Sequence, residues 1–280
     1  MKTKITVVCE NSVVVPLPLI GEHGFSCLIE SEEVTLFDTG QGLGIFNNLK
    51  NMGKNIDGIK RVVLSHGHYD HTGGLLSVLE SRNEKTPVFV HPDAFNDKRA
   101  VIAAPQRTID VPIGMRASKE AYEQAGAEFN FIRGFVKITN SISALSEVQR
   151  PSGWKTWDSR LKQKVNDINS DDPFTDDLSL LITTESGPVV LLGCAHAGIV
   201  EILDDISNKT GFREFHAVIG GTHLESAPED YIARTFDTLR RYAVCIIAVS
   251  HCTGLKTACR FASEFKSEFA HASVGSVFEF

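Results

Sequence analysis

The chain has no pair of cysteines at CxxC spacing; its six cysteines stand at 9, 27, 194, 245, 252 and 259. Set mostly in apolar strand or helix contexts, they read as reduced thiols and not as a disulfide framework. No uninterrupted apolar stretch reaches the roughly 18 residues that a bilayer span needs. Thr183, Glu185 and Ser186 break even the richest region, 178–193. The N-terminus lacks the apolar segment of a signal peptide and alternates Ile5, Val7 and Cys9 like a first strand, so a cytoplasmic, non-membrane protein is expected. Positive charge is short as well: 28 Lys and Arg against 35 Asp and Glu leave a net charge of −7. An acidic surface lacks the cationic footprint that phosphate-backbone binding needs, which argues against nucleic acid as a partner. There is no repeat of 20–50 residues and no low-complexity tract.

What is present suits a soluble αβ protein. Apolar residues make up 42% and charged residues 22% of 280, enough to bury a core in one domain with insertions. Short β-branched runs bounded by turn residues predict strands over 3–9, 24–30, 33–38, 60–65, 87–91, 179–184, 188–193, 214–220, 243–249 and 273–280. Helical periodicity over 198–207 groups Ile199, Val200, Ile202, Leu203 and Ile206. Ser226 and Glu229 read as a capping box before a helix carrying Ile232, Phe236 and Leu239, and a further helix is expected at about 254–267. Strands open each half and helices follow, so the order looks quasi-duplicated. Between the halves, about 92–172, strand signals weaken and Pro105, Pro112, Pro151 and Gly153 punctuate the pattern. That stretch is expected to be an insertion or lid of mixed αβ character, with a helix near 118–126 and a strand over Phe129–Ile138.

The densest chemical signal follows the strand at 61–64, where Ser65–Gly74 places three imidazoles and a carboxylate within six residues. Neutral imidazole is the commonest nitrogen ligand for zinc, and a loop at a strand end can turn His66, His68, Asp70 and His71 toward one point. A polar turn capping the next helix would need only one oxygen-bearing side chain.

With HxHxDH at 66–71 and LeuPheAspThrGly at 36–40, the sequence resembles the metallo-β-lactamase superfamily. The resemblance implies an αββα sandwich of two mixed β-sheets flanked by helices, with the metal site on loops at one edge. Four further phrases, at 22–26, 193–198, 220–224 and 250–254, resemble the subgroup of ribofuranosylaminobenzene 5′-phosphate synthase. Three of them place a histidine just past a predicted strand: His196, His223 and His251. The expected ligands are His66, His68 and His196 for one metal and Asp70, His71 and His251 for a second, with a bridging hydroxide. Zinc is the expected metal at about two per chain, because His68 stands where diiron members carry Glu; iron and manganese are the alternatives. Cys194 occupies the segment where many members have a bridging Asp. It reads as a small residue packed behind the loop, with thiolate ligation as the other reading. Asp38 is expected to orient a ligand imidazole.

Beyond the metal, His223 is a candidate to protonate a leaving group or stabilise developing charge, and Asp70 to orient the nucleophile. His23 and Arg150 are candidates for substrate binding; Lys98 and Arg99 read as solvated charges. His91, His216 and His271 lie outside any metal spacing, and Cys252 and Cys259 read as packing residues. The expected activity is hydrolysis of a small, anionic phosphoester, ester or lactone. The alternative is a synthase-like transfer joining an aryl ring to a pterin methylene with loss of diphosphate. A sensor without catalysis is a third reading, for which no appended DNA-binding motif is present. A homo-oligomer is compatible with the sequence.

Overall fold

The β-branched runs pair into two sheets of seven strands, and a smaller sheet of four stands apart from them. The computed structural model describes residues 2–280. In spatial order the first sheet runs Val277–Glu279, Lys4–Cys9, Ser26–Glu30, Val34–Phe37, Ile59–Val63, Thr86–Val90 and Ala127–Phe131. The second runs Phe269–His271, Ile246–Ser250, Ala217–Gly221, Gly187–Leu192, Ser179–Thr184, Ile142–Leu145 and Phe135–Lys137. Followed in chain order, each sheet begins with antiparallel neighbours and continues with parallel ones. That shared order is the duplication visible in the chain.

Period-two alternation sets the layers. Ile5, Val7, Ile29, Phe37 and Val63 of the first sheet meet Leu180, Ile182, Val189, Leu191 and Ile219 of the second in one cluster between the sheets. Their alternates face helices. Leu181, Val190, Leu192 and Val218 pack with Ile202, Leu203, Phe236 and Phe261 from the helices Ile199–Thr210, Glu229–Arg241 and Leu255–Phe265. Val8, Leu28, Leu36 and Val62 pack with Ile45, Leu49, Val78 and Tyr122 from three shorter helices. The result is an αββα sandwich. Among the described residues no helix is long and apolar enough to cross a membrane.

Two local readings of the sequence change. The helix at Glu229 starts after Pro228 without a side-chain cap, so Ser226 and Glu229 form no capping box; Glu229 and Asp230 in its first turn and Arg240 and Arg241 in its last match the helix dipole instead. The stretch 92–172 is not one insertion. Residues 127–131 extend the first sheet and 135–137 and 142–145 extend the second, because Gly134, at φ +68°, turns the chain from one sheet to the other inside the run expected as a single strand. Only the hairpins Asp97–Ala104 with Arg107–Pro112, and Leu161–Val165 with Ile168–Asp171, leave the sandwich to form the four-stranded sheet.

A buried ion-pair network ties that sheet to the sandwich. Lys98 Nζ lies 2.6 Å from Asp176 and 2.9 Å from Asp172, all three groups buried. Lys98 is therefore a structural cation and not a solvated one. Removing one partner of such a group leaves uncompensated buried charge. Lys98→Met is expected to lower the unfolding free energy by about 3 kcal/mol, measured by urea denaturation; a loss below about 1 kcal/mol would show that the network is not holding the sheet.

Candidate metal centre

Every histidine of the centre but one sits just past the carboxyl end of a strand, where a sheet leaves its loops free to converge. His66, His68 and His71 follow Ile59–Val63, the last of them within the short helix Tyr69–Thr72. His196 follows Gly187–Leu192, His223 follows Ala217–Gly221, and His251 follows Ile246–Ser250. His23 instead precedes Ser26–Glu30. Asp38, Ala195, His223 and His251 all have φ between 49° and 57°, in the left-handed region. Such conformations cost about 1–3 kcal/mol each and gather where surrounding structure fixes a site. Gly67 is required between two of the candidate ligands, since a Cβ there would lie 2.1 Å from the Ala94 carbonyl oxygen.

The structure brings His66, His68 and His196 together with a nitrogen from each mutually within 4.8 Å. His66 Nε2 stands 3.0 Å from His68 Nδ1. Beside them, Asp70 Oδ2 lies 3.2 Å from His251 Nε2, 3.2 Å from His23 Nε2 and 3.9 Å from His71 Nε2. Cys194 Sγ is 3.1 Å from His71 Nε2.

Asp38 anchors this arrangement from beneath. Its carboxylate accepts from the Ser65 amide at 2.7 Å, the Ser65 hydroxyl at 2.6 Å and His71 Nδ1 at 2.7 Å. The Ser65 oxygen lies 2.9 Å from His66 Nδ1, so one carboxylate fixes two imidazoles and leaves each Nε2 facing inward. His251 Nδ1 is held at 2.9 Å by Asn11 Oδ1, and the His251 amide donates to Glu10 at 2.7 Å.

Electrostatics divides the imidazoles. Burial, reinforced by neighbouring histidines, pushes His66 and His196 well below the ordinary histidine value; burial likewise brings His68 down to about 3. These rings are neutral and ready to donate lone pairs. For His71 burial also pulls downward, but Asp38 and Asp70 outweigh it and raise the ring to about 9. The fit to a cation is direct: His68 Nε2 and both ring nitrogens of His196 are buried without a hydrogen-bond partner. Buried polar atoms are seldom left so, and a divalent cation would take the lone pair of one nitrogen from each of these neutral rings.

The other candidates divide. His223 lines the same cavity of about 560 Å³ as His23, Asp70 and His196. Its ring lies 4.3 Å from that of His196, and its Nε2 is 3.6 Å from Asp158 Oδ2. Arg150 does not reach this cavity: its guanidinium donates to the Pro173 carbonyl and lies over Trp154, lining separate depressions. The arginine at the cavity wall is Arg160, bound through Nε and Nη2 to both oxygens of Asp158. Cys252, read from sequence as packing, also lines the cavity, because the turn at His251 carries both side chains inward.

Sequence reasoning missed the segment 172–177. There Phe174 stacks on His196 at 4.3 Å, Asp176 accepts from the Gly67 amide at 2.9 Å, and Asp177 accepts from the Ala197 amide at 3.0 Å. The run AspAspProPheThrAspAsp just before a strand was the available signal.

The family model of the metallo-beta-lactamase superfamily matches residues 20–139. A Methanocaldococcus jannaschii protein is 31% identical over 286 aligned residues, covering 99% of this chain and 96% of its own length. The chain belongs to the metallo-beta-lactamase superfamily. That relative is a 7,8-dihydropterin-6-methyl-4-(beta-D-ribofuranosyl)-aminobenzene-5′-phosphate synthase. Among solved structures, Tm1679, a metal-dependent hydrolase of the beta-lactamase superfamily, superposes with a TM-score of 0.84 at 28% identity over 99% of both chains. A diphosphatase from the PhnP family shares the fold at TM-score 0.55 and 12% identity, over all of this chain and 98% of its own.

Among the three clustered imidazoles His66, His68 and His196, the last has the most unpartnered ring atoms. His196→Ala is expected to reduce bound metal from about two ions per chain to about one, read by elemental analysis of protein purified without added metal. An unchanged content would place His196 outside the ligand set.

Proposed function

We propose that the protein is a metal-dependent hydrolase of small anionic substrates: a phosphoester, an ester or a lactone. The observation that carries this reading is the group of unsatisfied, neutral imidazole nitrogens beside Asp70, opening into a cavity that a small molecule can enter. His66, His68 and His196 would hold one ion, and Asp70, His71 and His251 a second, zinc being the expected metal. Divalent cations at such positions supply Lewis acidity toward a substrate oxygen and make hydroxide available near neutral pH.

The remaining steps belong to the chain. Asp70, held between His23 and His251 at 3.2 Å each, orients the nucleophile and accepts its hydrogen bond. His223 sits across the cavity between His196 and Asp158, where its ring N–H meets negative charge developing on the leaving or carbonyl oxygen. Arg160 grips Asp158 through two hydrogen bonds and presents its guanidinium at the cavity wall, suited to an anionic substrate. Ile102 and Leu161 of the four-stranded sheet close the far side with apolar surface.

A second reading, a synthase-type transfer, is supported by the end-to-end 31% identity to the M. jannaschii enzyme. Turnover in ¹⁸O-labelled water separates the two. Hydrolysis places label in the product, whereas transfer forms a carbon–nitrogen bond between the arylamine nitrogen and the pterin methylene, with diphosphate leaving and no label taken up. His223→Ala is expected to lower kcat by about 10²–10³-fold with metal content unchanged. Steady-state kinetics on phosphodiester and lactone substrates checks this, and wild-type turnover would remove His223 from the mechanism.

A further inference from the structure

Of the six cysteines, two stand among the imidazoles. Cys194 Sγ, Cys252 Sγ and a His251 ring nitrogen lie mutually within 4.8 Å, and Cys194 Sγ is 3.1 Å from His71 Nε2. We propose that Cys252 joins Cys194 as a sulfur donor at the second metal position, making it a mixed imidazole–thiolate site that selects zinc over harder cations. The proposal rests on the metal-dependent reading above and goes beyond it in the donor set.

The local structure is built for two sulfurs. Gly221 separates the strand ends on which they sit: a Cβ there would come within 2.7 Å of Cys252 Sγ and 3.3 Å of the Cys194 Cα. The His223 amide donates to Cys252 Sγ at 3.2 Å, the kind of N–H···S bond that supports a sulfur carrying negative charge. Left-handed backbone at His251 starts the turn that points residues 251 and 252 into one cavity. Adjacent donor atoms on one zinc stand roughly 3–4 Å apart, as Zn–N and Zn–S lengths require. The two sulfurs and the His251 nitrogen, mutually within 4.8 Å, reach that range by closing on the order of 1 Å. The other cysteines differ: Cys9 and Cys27 are buried in apolar clusters, and Cys245 and Cys259 are exposed.

On binding, each thiol releases its proton to solvent as its sulfur takes the metal. Two thiolates with Asp70 offset the charge of the cations, and soft donors favour zinc, cobalt or cadmium over magnesium and manganese.

Cobalt(II) reports sulfur ligation by a thiolate-to-metal charge-transfer band in the near ultraviolet, independent of turnover. Full-length protein reconstituted with cobalt(II) is expected to show this band. Cys252→Ser and Cys194→Ser should each remove about half of it, one thiolate of two, and the double variant all of it. Cys259→Ser should leave it intact. Elemental analysis of the same samples separates the two failures. Two bound ions with a band insensitive to Cys252→Ser would overturn the donor assignment alone, while wild-type protein that retains no metal would overturn the metal-dependent reading with it. Wild-type protein gives a second measurement that needs no folded variant. Iodoacetamide is expected to modify Cys252 after chelation but not after zinc loading, with Cys245 and Cys259 modified in both; modification of Cys252 in the zinc-loaded protein would contradict the proposal.

Discussion

Burying an imidazole nitrogen with nothing to bond is costly, of the order of 1–3 kcal/mol for a group of this kind. His196 carries two such atoms and His68 one, at a single point where three neutral rings face one another. The surrounding protein gives these nitrogens no hydrogen bond. A cation offsets part of the cost, because it takes one lone pair from each neutral ring. The left-handed residues at the rim, the glycine between His66 and His68, and the Asp38–Ser65 relay all serve to hold rings in an orientation that is unfavourable until a cation is present.

The sandwich makes the convergence possible without long loops. Parallel strands in each sheet finish at the same edge, so residues 66 and 251, nearly two hundred positions apart in the chain, need only a few residues past their strands to meet. The rigid part of the molecule therefore supplies the positions, and the chemistry is confined to short connections. The four-stranded sheet adds the opposite wall of the cavity. It is fastened through Lys98 to Asp172 and Asp176, and Asp176 in turn holds the amide of Gly67. One network thus couples the outer sheet to the loop bearing His66 and His68.

Local features of the sequence carried much of this. The HxHxDH loop, the strand-end histidines and the alternating apolar runs are all readable within a window of ten residues, because strand period and ligand spacing are local properties. What escaped was non-local. Lys98 looks like a solvated charge until residues 172 and 176 fold over it, and Arg150 and Arg160 are indistinguishable until the chain decides which one faces the cavity. The split of 92–172 depended on Gly134 handing the chain between sheets, an event with no periodic signature. Cys252 reads as packing because Cys194, whose carbonyl it meets and whose sulfur lies within 4.8 Å, is 58 residues away in sequence.

We propose that these imidazoles are a metal centre. Anomalous scattering at the zinc absorption edge, from crystals grown without added metal, tests it most directly. Two peaks are expected about 3.5–4 Å apart, one among His66, His68 and His196 and the other among Asp70, His71 and His251. Ordered side chains at those positions with no anomalous peak at the edge of any divalent transition metal would contradict it.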